Sequence, residues 1–78
     1  MVKAYVLIKV DSNDVNKVAN AINTLEEVEN LHHIYGGFDL IAVIKTKNII
    51  QLKEDVIEKI SKIKGVSETS CMIVADED

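Results

Sequence analysis

A strand-helix-strand pattern runs twice through this chain of 78 residues, with no linker between the copies. Val2 to Val10 is almost continuously apolar: Ala4, Val6, Ile8 and Val10 share one parity, Tyr5 and Leu7 the other. That predicts a strand covered on both faces. Asp11-Ser12-Asn13-Asp14 supplies helix-capping candidates, and Val15, Val18, Ala19, Ile22 and Leu25 then recur at helical spacing to about Glu26. Asn30 to Tyr35 and the apolar Phe38 to Thr46 predict two strands joined by a hairpin at Gly36-Gly37. Asn48 precedes Gln51 by three residues, a capping-box-like start, and Leu52, Val56, Ile57, Ile60 and Ile63 carry a second helical stripe that Gly65 stops. Ser67 to Ala75 predicts the last strand, with Thr69, Cys71 and Ile73 on one face and Met72 and Val74 on the other.

The order βαββαβ defines an α+β, ferredoxin-like fold. With strands numbered β1 to β4 in chain order, right-handed crossovers predict a four-stranded antiparallel sheet in the order 4-1-3-2, with both helices on one face. The polar His32, His33, Glu68, Thr69 and Ser70 then fall on the edges, where they discourage stray pairing. Residues 1–75 are expected to form one domain and 76–78 an acidic tail. A domain this small buries only about 60% of the surface its unfolded chain exposes, so a partner subunit would add stability.

Two helices on one face leave the other face bare. Tyr5 and Leu7 must point there, together with either Leu40 or Ile41, the latter bringing Val43 with it. A buried patch of about 600 Å² per subunit, at roughly 25 cal/mol per Å², gives a gross gain on the order of 15 kcal/mol before association costs. The expectation is a homodimer packed sheet to sheet through Tyr5, Leu7, Ile41 and Val43, with further assembly into rings.

The net charge of −4 and pI of about 5.0 oppose a phosphate-binding surface, so direct nucleic-acid binding is not expected. No apolar run nears the roughly 20 residues of a membrane span, and Met1-Val2-Lys3 enters a strand without signal-peptide character, so the expected location is the cytoplasm. A single cysteine, Cys71, excludes an internal disulfide. No nucleophile elbow, phosphate-cradling loop or metal-ligand cluster is present, so no catalytic residue, metal or cofactor is assigned. His32 and His33, adjacent on a strand, point to opposite faces and do not share one metal.

The chemistry concentrates at Tyr35-Gly36-Gly37-Phe38-Asp39. Two glycines permit a tight turn and expose backbone N–H groups, and a carboxylate follows. The plain reading is a hairpin turn with Asp39 solvating a strand start. The functional reading is a pocket for a zwitterion: Gly36 and Gly37 N–H groups for a carboxylate, Asp39 for an ammonium, Thr69 for a further hydroxyl, and Tyr35 or Phe38 as a wall.

From the first strand, Val2 to Val10, through Gly36-Gly37-Phe38-Asp39-Leu40, to Gly65-Val66 with Thr69 and Ile73-Val74, the chain resembles the effector-binding RAM domain of the Lrp/AsnC (feast/famine) transcription regulators. The resemblance implies an amino-acid effector bound between subunits, a homodimer and higher oligomers. It also implies a sensing module without its helix-turn-helix, able to assemble with full-length Lrp/AsnC-type regulators. The family's glycine turn maps onto Gly36, Gly37, Phe38 and Asp39 and its β4 threonine onto Thr69, while Cys71 replaces a second Ser or Thr. The alternatives are an ACT amino-acid-binding domain, whose usual glycine at the first strand-helix turn is absent, and a dimeric α/β-barrel monooxygenase or isomerase using His32 or His33.

Overall fold

In the computed structural model, residues 1–11 and 14–75 are described. The strands are β1 (Val2–Val10), β2 (Val28–His33), β3 (Leu40–Thr46) and β4 (Val66–Ile73). They form one sheet in the order β2-β3-β1-β4, with every neighbouring pair antiparallel. The expected topology is therefore the observed one, with the two most apolar strands in the centre. The residues expected to form the acidic tail, 76–78, lie outside the described residues.

Helix α1 (Val15–Asn23) begins at Asp14, whose side chain accepts a 3.0 Å hydrogen bond from the Lys17 N–H. This satisfies one of the orphan donors of the first turn. Helix α2 spans 49–61. It opens with an α turn (Ile49–Gln51), continues as a π-helical stretch (Leu52–Ile57) and returns to α geometry over Glu58–Ser61. Asn48 Oδ1 accepts from the Gln51 N–H at 2.8 Å, and Gln51 Oε1 reaches back to the Lys47 N–H at 2.8 Å. The reciprocal cap thus closes one residue earlier than an ideal capping box.

The π stretch explains how Leu52, Val56 and Ile60 are all fully buried. Positions four apart on a regular α-helix drift by about 40° per step, because four residues exceed the 3.6 of one turn. Bonding of the i→i+5 type, as from the Glu58 N–H to the Lys53 carbonyl, widens the turn and holds the three side chains in line.

Both helices pack on one side of the sheet. The core there joins Val18, Ala19 and Ile22 of α1 and Leu52, Val56 and Ile60 of α2 to Ala4, Val6 and Ile8 of β1 and Leu40, Ala42 and Ile44 of β3. Across the central ladder Ala4 pairs with Ile44 and Ala42 with Val6, so small side chains alternate with large ones and give the helices room to approach. Thr46, buried at the same face, donates its hydroxyl to the Asn48 carbonyl at 2.9 Å, so its polar atom is satisfied.

Candidate functional site

Residues paired across an antiparallel ladder share a face, so the register defines the side the helices leave open. One row there reads His32, Ile41, Leu7, Ser70 across the four strands; the next reads Asn30, Val43, Tyr5, Met72. All have the opposite parity to the buried Ala4, Val6 and Ile8. Tyr5, Leu7, Ile41 and Val43 thus occupy the centre of a single face, which resolves the β3 parity in favour of Ile41 over the fully buried Leu40. Each is only half-buried. Charge gathers at the margins. Lys3 and Lys45 pair at one end and Lys9 and Glu68 at the other, the Lys3 ammonium lying 5.9 Å from the Tyr5 ring centre and Lys45 lying 3.8 Å from Glu29.

The turn between β2 and β3 is longer than a two-residue hairpin. It occupies 34–39 and is closed by an Ile34 N–H to Asp39 carbonyl hydrogen bond of 2.9 Å. Gly36 alone of the glycine pair has positive φ, 133°, a region that L-residues rarely enter. Tyr35 is wholly exposed at the tip, Gly36 and Gly37 are exposed beside it, and Phe38 is half-buried.

Asp39 ties this turn to the end of β1. Its N–H donates to the Ile8 carbonyl at 3.0 Å, and its Oδ2 accepts from the Val10 N–H at 2.8 Å. The β1 ladder shifts register towards β4 between Lys9 and Val10, and the Asp39 carboxylate supplies an acceptor at that irregularity. The sequence reading of Asp39 as a group that merely solvates a strand start is therefore too weak: one carboxylate oxygen already ties the turn to the end of β1.

Within one protomer, Tyr35, Gly36, Gly37, Phe38 and Asp39 are brought together by the turn, and Thr69 is not. Thr69 pairs with Ile8, which pairs with Leu40, so it sits on the helix-covered face two strands from β3, about 10 Å by strand spacing. Ser70, its neighbour, faces the open side.

A feature absent from the sequence reading is a groove of about 320 Å³ between α1 and the end of α2, lined by Asp14, Lys17, Val18, Ala21, Ile63 and Lys64. Next to its lining residue Lys64, the Gly65 carbonyl accepts a 2.7 Å hydrogen bond from the Asp11 N–H at the end of β1, with Gly65 at φ 104°. Its lining includes no histidine. His32 and His33 are exposed, paired with Ile41 and Leu40 on opposite faces, and no cluster of His, Cys, Asp and Glu among the described residues could hold a metal. No helix among the described residues is long and apolar enough to cross a membrane.

The pattern described as the Lrp/AsnC ligand binding domain matches residues 3–77. The chain belongs to the Lrp/AsnC ligand-binding-domain family. The HTH-type transcriptional regulator FL11 of Pyrococcus furiosus is 31% identical over 71 residues, a match that takes in 91% of this chain and 46% of the regulator. The chain thus spans about half the length of the curated relatives it matches. The crystal structure of TTHA0845 from Thermus thermophilus superposes with a TM-score of 0.92 at 28% identity, covering 100% of this chain and 98% of that one. The feast or famine regulatory protein of M. tuberculosis, solved in complex with L-methionine, shares the fold at a TM-score of 0.84 and 18% identity, covering 99% of this chain and 52% of its own. The match favours this family over the ACT alternative, and its curated relatives are transcriptional regulators.

Proposed function

We propose that this Lrp/AsnC ligand-binding domain is a non-enzymatic sensing and assembly module for an amino-acid effector, working through its open sheet face and its β2–β3 turn. The observation that carries the reading is the unpartnered apolar centre formed by Tyr5, Leu7, Ile41 and Val43. A second copy packed on this face removes the patch from water and places the two β2–β3 turns in one particle.

The effector sits at a junction between subunits. Gly37 and its neighbours offer open backbone to the carboxylate, and Asp39 Oδ1, the oxygen not bonded to the Val10 N–H, accepts from the ammonium. Phe38 supplies an apolar wall. Thr69 contributes only from another subunit, since its own protomer holds it two strands away. The M. tuberculosis regulator complexed with L-methionine supports amino acids as the chemical class. Co-assembly with full-length regulators of the family follows from sharing the same sheet face, and lets the module shift a regulator's assembly state.

A thermal-shift screen of the proteinogenic amino acids, read together with light-scattering mass, tests this. At least one amino acid raises the melting temperature of the wild type, and Phe38→Ala diminishes that response. A screen in which no amino acid moves either readout overturns the effector reading. Mixing with a full-length regulator and finding no hetero-oligomer overturns the co-assembly step.

A further inference from the structure

The groove between α1 and the end of α2 takes no part in the function proposed above, and it lies in the helix layer, across the sheet from the open face. Its α1 wall is Asp14, Lys17, Val18 and Ala21, whose spacings of three and four place them on one side of the helix. The opposite wall is Ile63 and Lys64, in the turn that follows α2. Hydrogen bonds of 3.1 Å hold that turn, from the Ile63 N–H to the Ile60 carbonyl and from the Val66 N–H to the Ile63 carbonyl. Val18 is buried, and Ala21 and Ile63 are half-buried, so the middle of the groove is apolar. A longer side chain at Ala21 would reach into this space.

The same lining carries two ammonium groups. Among the described residues the ion pairs are Lys45–Glu29 and Lys62–Glu58, and neither involves Lys17 or Lys64. The chain holds thirteen acidic residues against nine basic ones, so acids to pair with these two lysines are not scarce. Asp14 is the one acid in the lining, and its Oδ1 is committed to the Lys17 N–H at 3.0 Å as the cap of α1. At about 320 Å³ the groove stands at the small end of ligand pockets, which run from about 300 to 1,000 Å³. A fitting occupant is small, apolar along most of its length and negatively charged at one end.

We propose that this groove binds an aliphatic monocarboxylate, its alkyl chain against Val18, Ala21 and Ile63 and its carboxylate on the Lys17 and Lys64 ammonium groups. Charge-assisted hydrogen bonds from lysine to a carboxylate are among the stronger polar contacts, and the alkyl chain adds burial that a bare inorganic anion cannot. An amino acid of the same skeleton brings an ammonium towards two like charges, which disfavours it here. The site is separate from the β2–β3 turn and does not depend on the effector reading.

Titration of isocaproate into the isotope-labelled wild-type chain, followed by amide correlation NMR, tests the site. L-Leucine has the same carbon skeleton with an added ammonium, and acetate has the same head group without the chain. Isocaproate is expected to give saturable shifts at the amides of Lys17, Val18, Ala21, Ile63 and Lys64. Acetate and leucine are expected to bind there at least about fivefold more weakly. Lys17→Gln and Lys64→Gln are each expected to weaken isocaproate at least about fivefold. Ala21→Leu, which narrows the groove without changing its charge, is expected to abolish the response; should that variant fail to fold, the wild-type shift map and the two lysine variants decide. No saturable shift, or shifts confined to residues 34–39, overturns the site. An equal response to acetate, or unchanged binding in folded Ala21→Leu, shows general attraction of anions to the lysines and overturns it as well.

Discussion

Asp39 accepts a 2.8 Å hydrogen bond from the backbone N–H of Val10, across 29 positions of sequence. The bond anchors the β2–β3 turn to the end of β1, at the point where β1 slips register against β4. Stability and the candidate ligand site therefore meet in one carboxylate.

Asp39→Ala leaves the half-buried Val10 N–H without its acceptor and is expected to cost about 1–3 kcal/mol, the usual penalty for orphaning such a donor. Asp39→Asn keeps an acceptor oxygen and is expected to lose less. Urea denaturation of the two variants beside wild type checks this, and equal midpoints for all three would show that the bond contributes nothing.

The two glycines of the turn are not equivalent. Gly36 holds a φ of 133°, so Gly36→Ala is expected to destabilise by about 1 kcal/mol or more through backbone strain. Gly37 has a φ open to other residues, and a methyl group added there meets nothing within 4 Å, so Gly37→Ala is expected to fall within about 0.5 kcal/mol of wild type. Thermal melts of the pair separate the positions; a larger loss at Gly37 contradicts the assignment.

Much of the fold was legible because burial on both faces leaves a plain mark. The continuous apolar run of Val2–Val10 matches β1 at both ends. The stripe through Leu52, Val56 and Ile60 marked the second helix, although nothing in those residues signals its π geometry. The turn was harder. Gly36-Gly37 looks like a two-residue hairpin, yet β3 starts at Leu40, because Asp39 is drawn to β1 by a contact that local sequence does not encode. Thr69 shows the same limit: its parity with Cys71 and Ile73 was readable, but only pairing with Ile8 reveals that this parity faces the helices. The groove between Lys17 and Lys64 brings together residues far apart in sequence, a juxtaposition that local pattern does not reveal.

Cys71 should behave as a reluctant nucleophile. Although the residue is exposed, partial burial of its thiol against the helix-covered face raises its pKa from the ordinary thiol value, and the positive charge of Lys53 partly offsets this. Alkylation at pH 8 is expected to be slower than for an unstructured cysteine peptide, and Lys53→Gln slower still. The folded value lies above the unfolded one, so this thiol's contribution to stability is fully present below the ordinary thiol range and is lost as pH rises through the folded pKa. Faster alkylation in Lys53→Gln contradicts the placement of that charge.

The central claim is that the face bearing Tyr5, Leu7, Ile41 and Val43 is covered by a second copy of the chain. Multi-angle light scattering at micromolar concentration tests it directly, with wild type run beside Leu7→Lys, which sets an ammonium in the middle of the apolar rows. The expected result is a wild-type mass at an even multiple of 8.7 kDa and a smaller particle for Leu7→Lys. A wild-type monomer, or a mass that Leu7→Lys leaves unchanged, contradicts it.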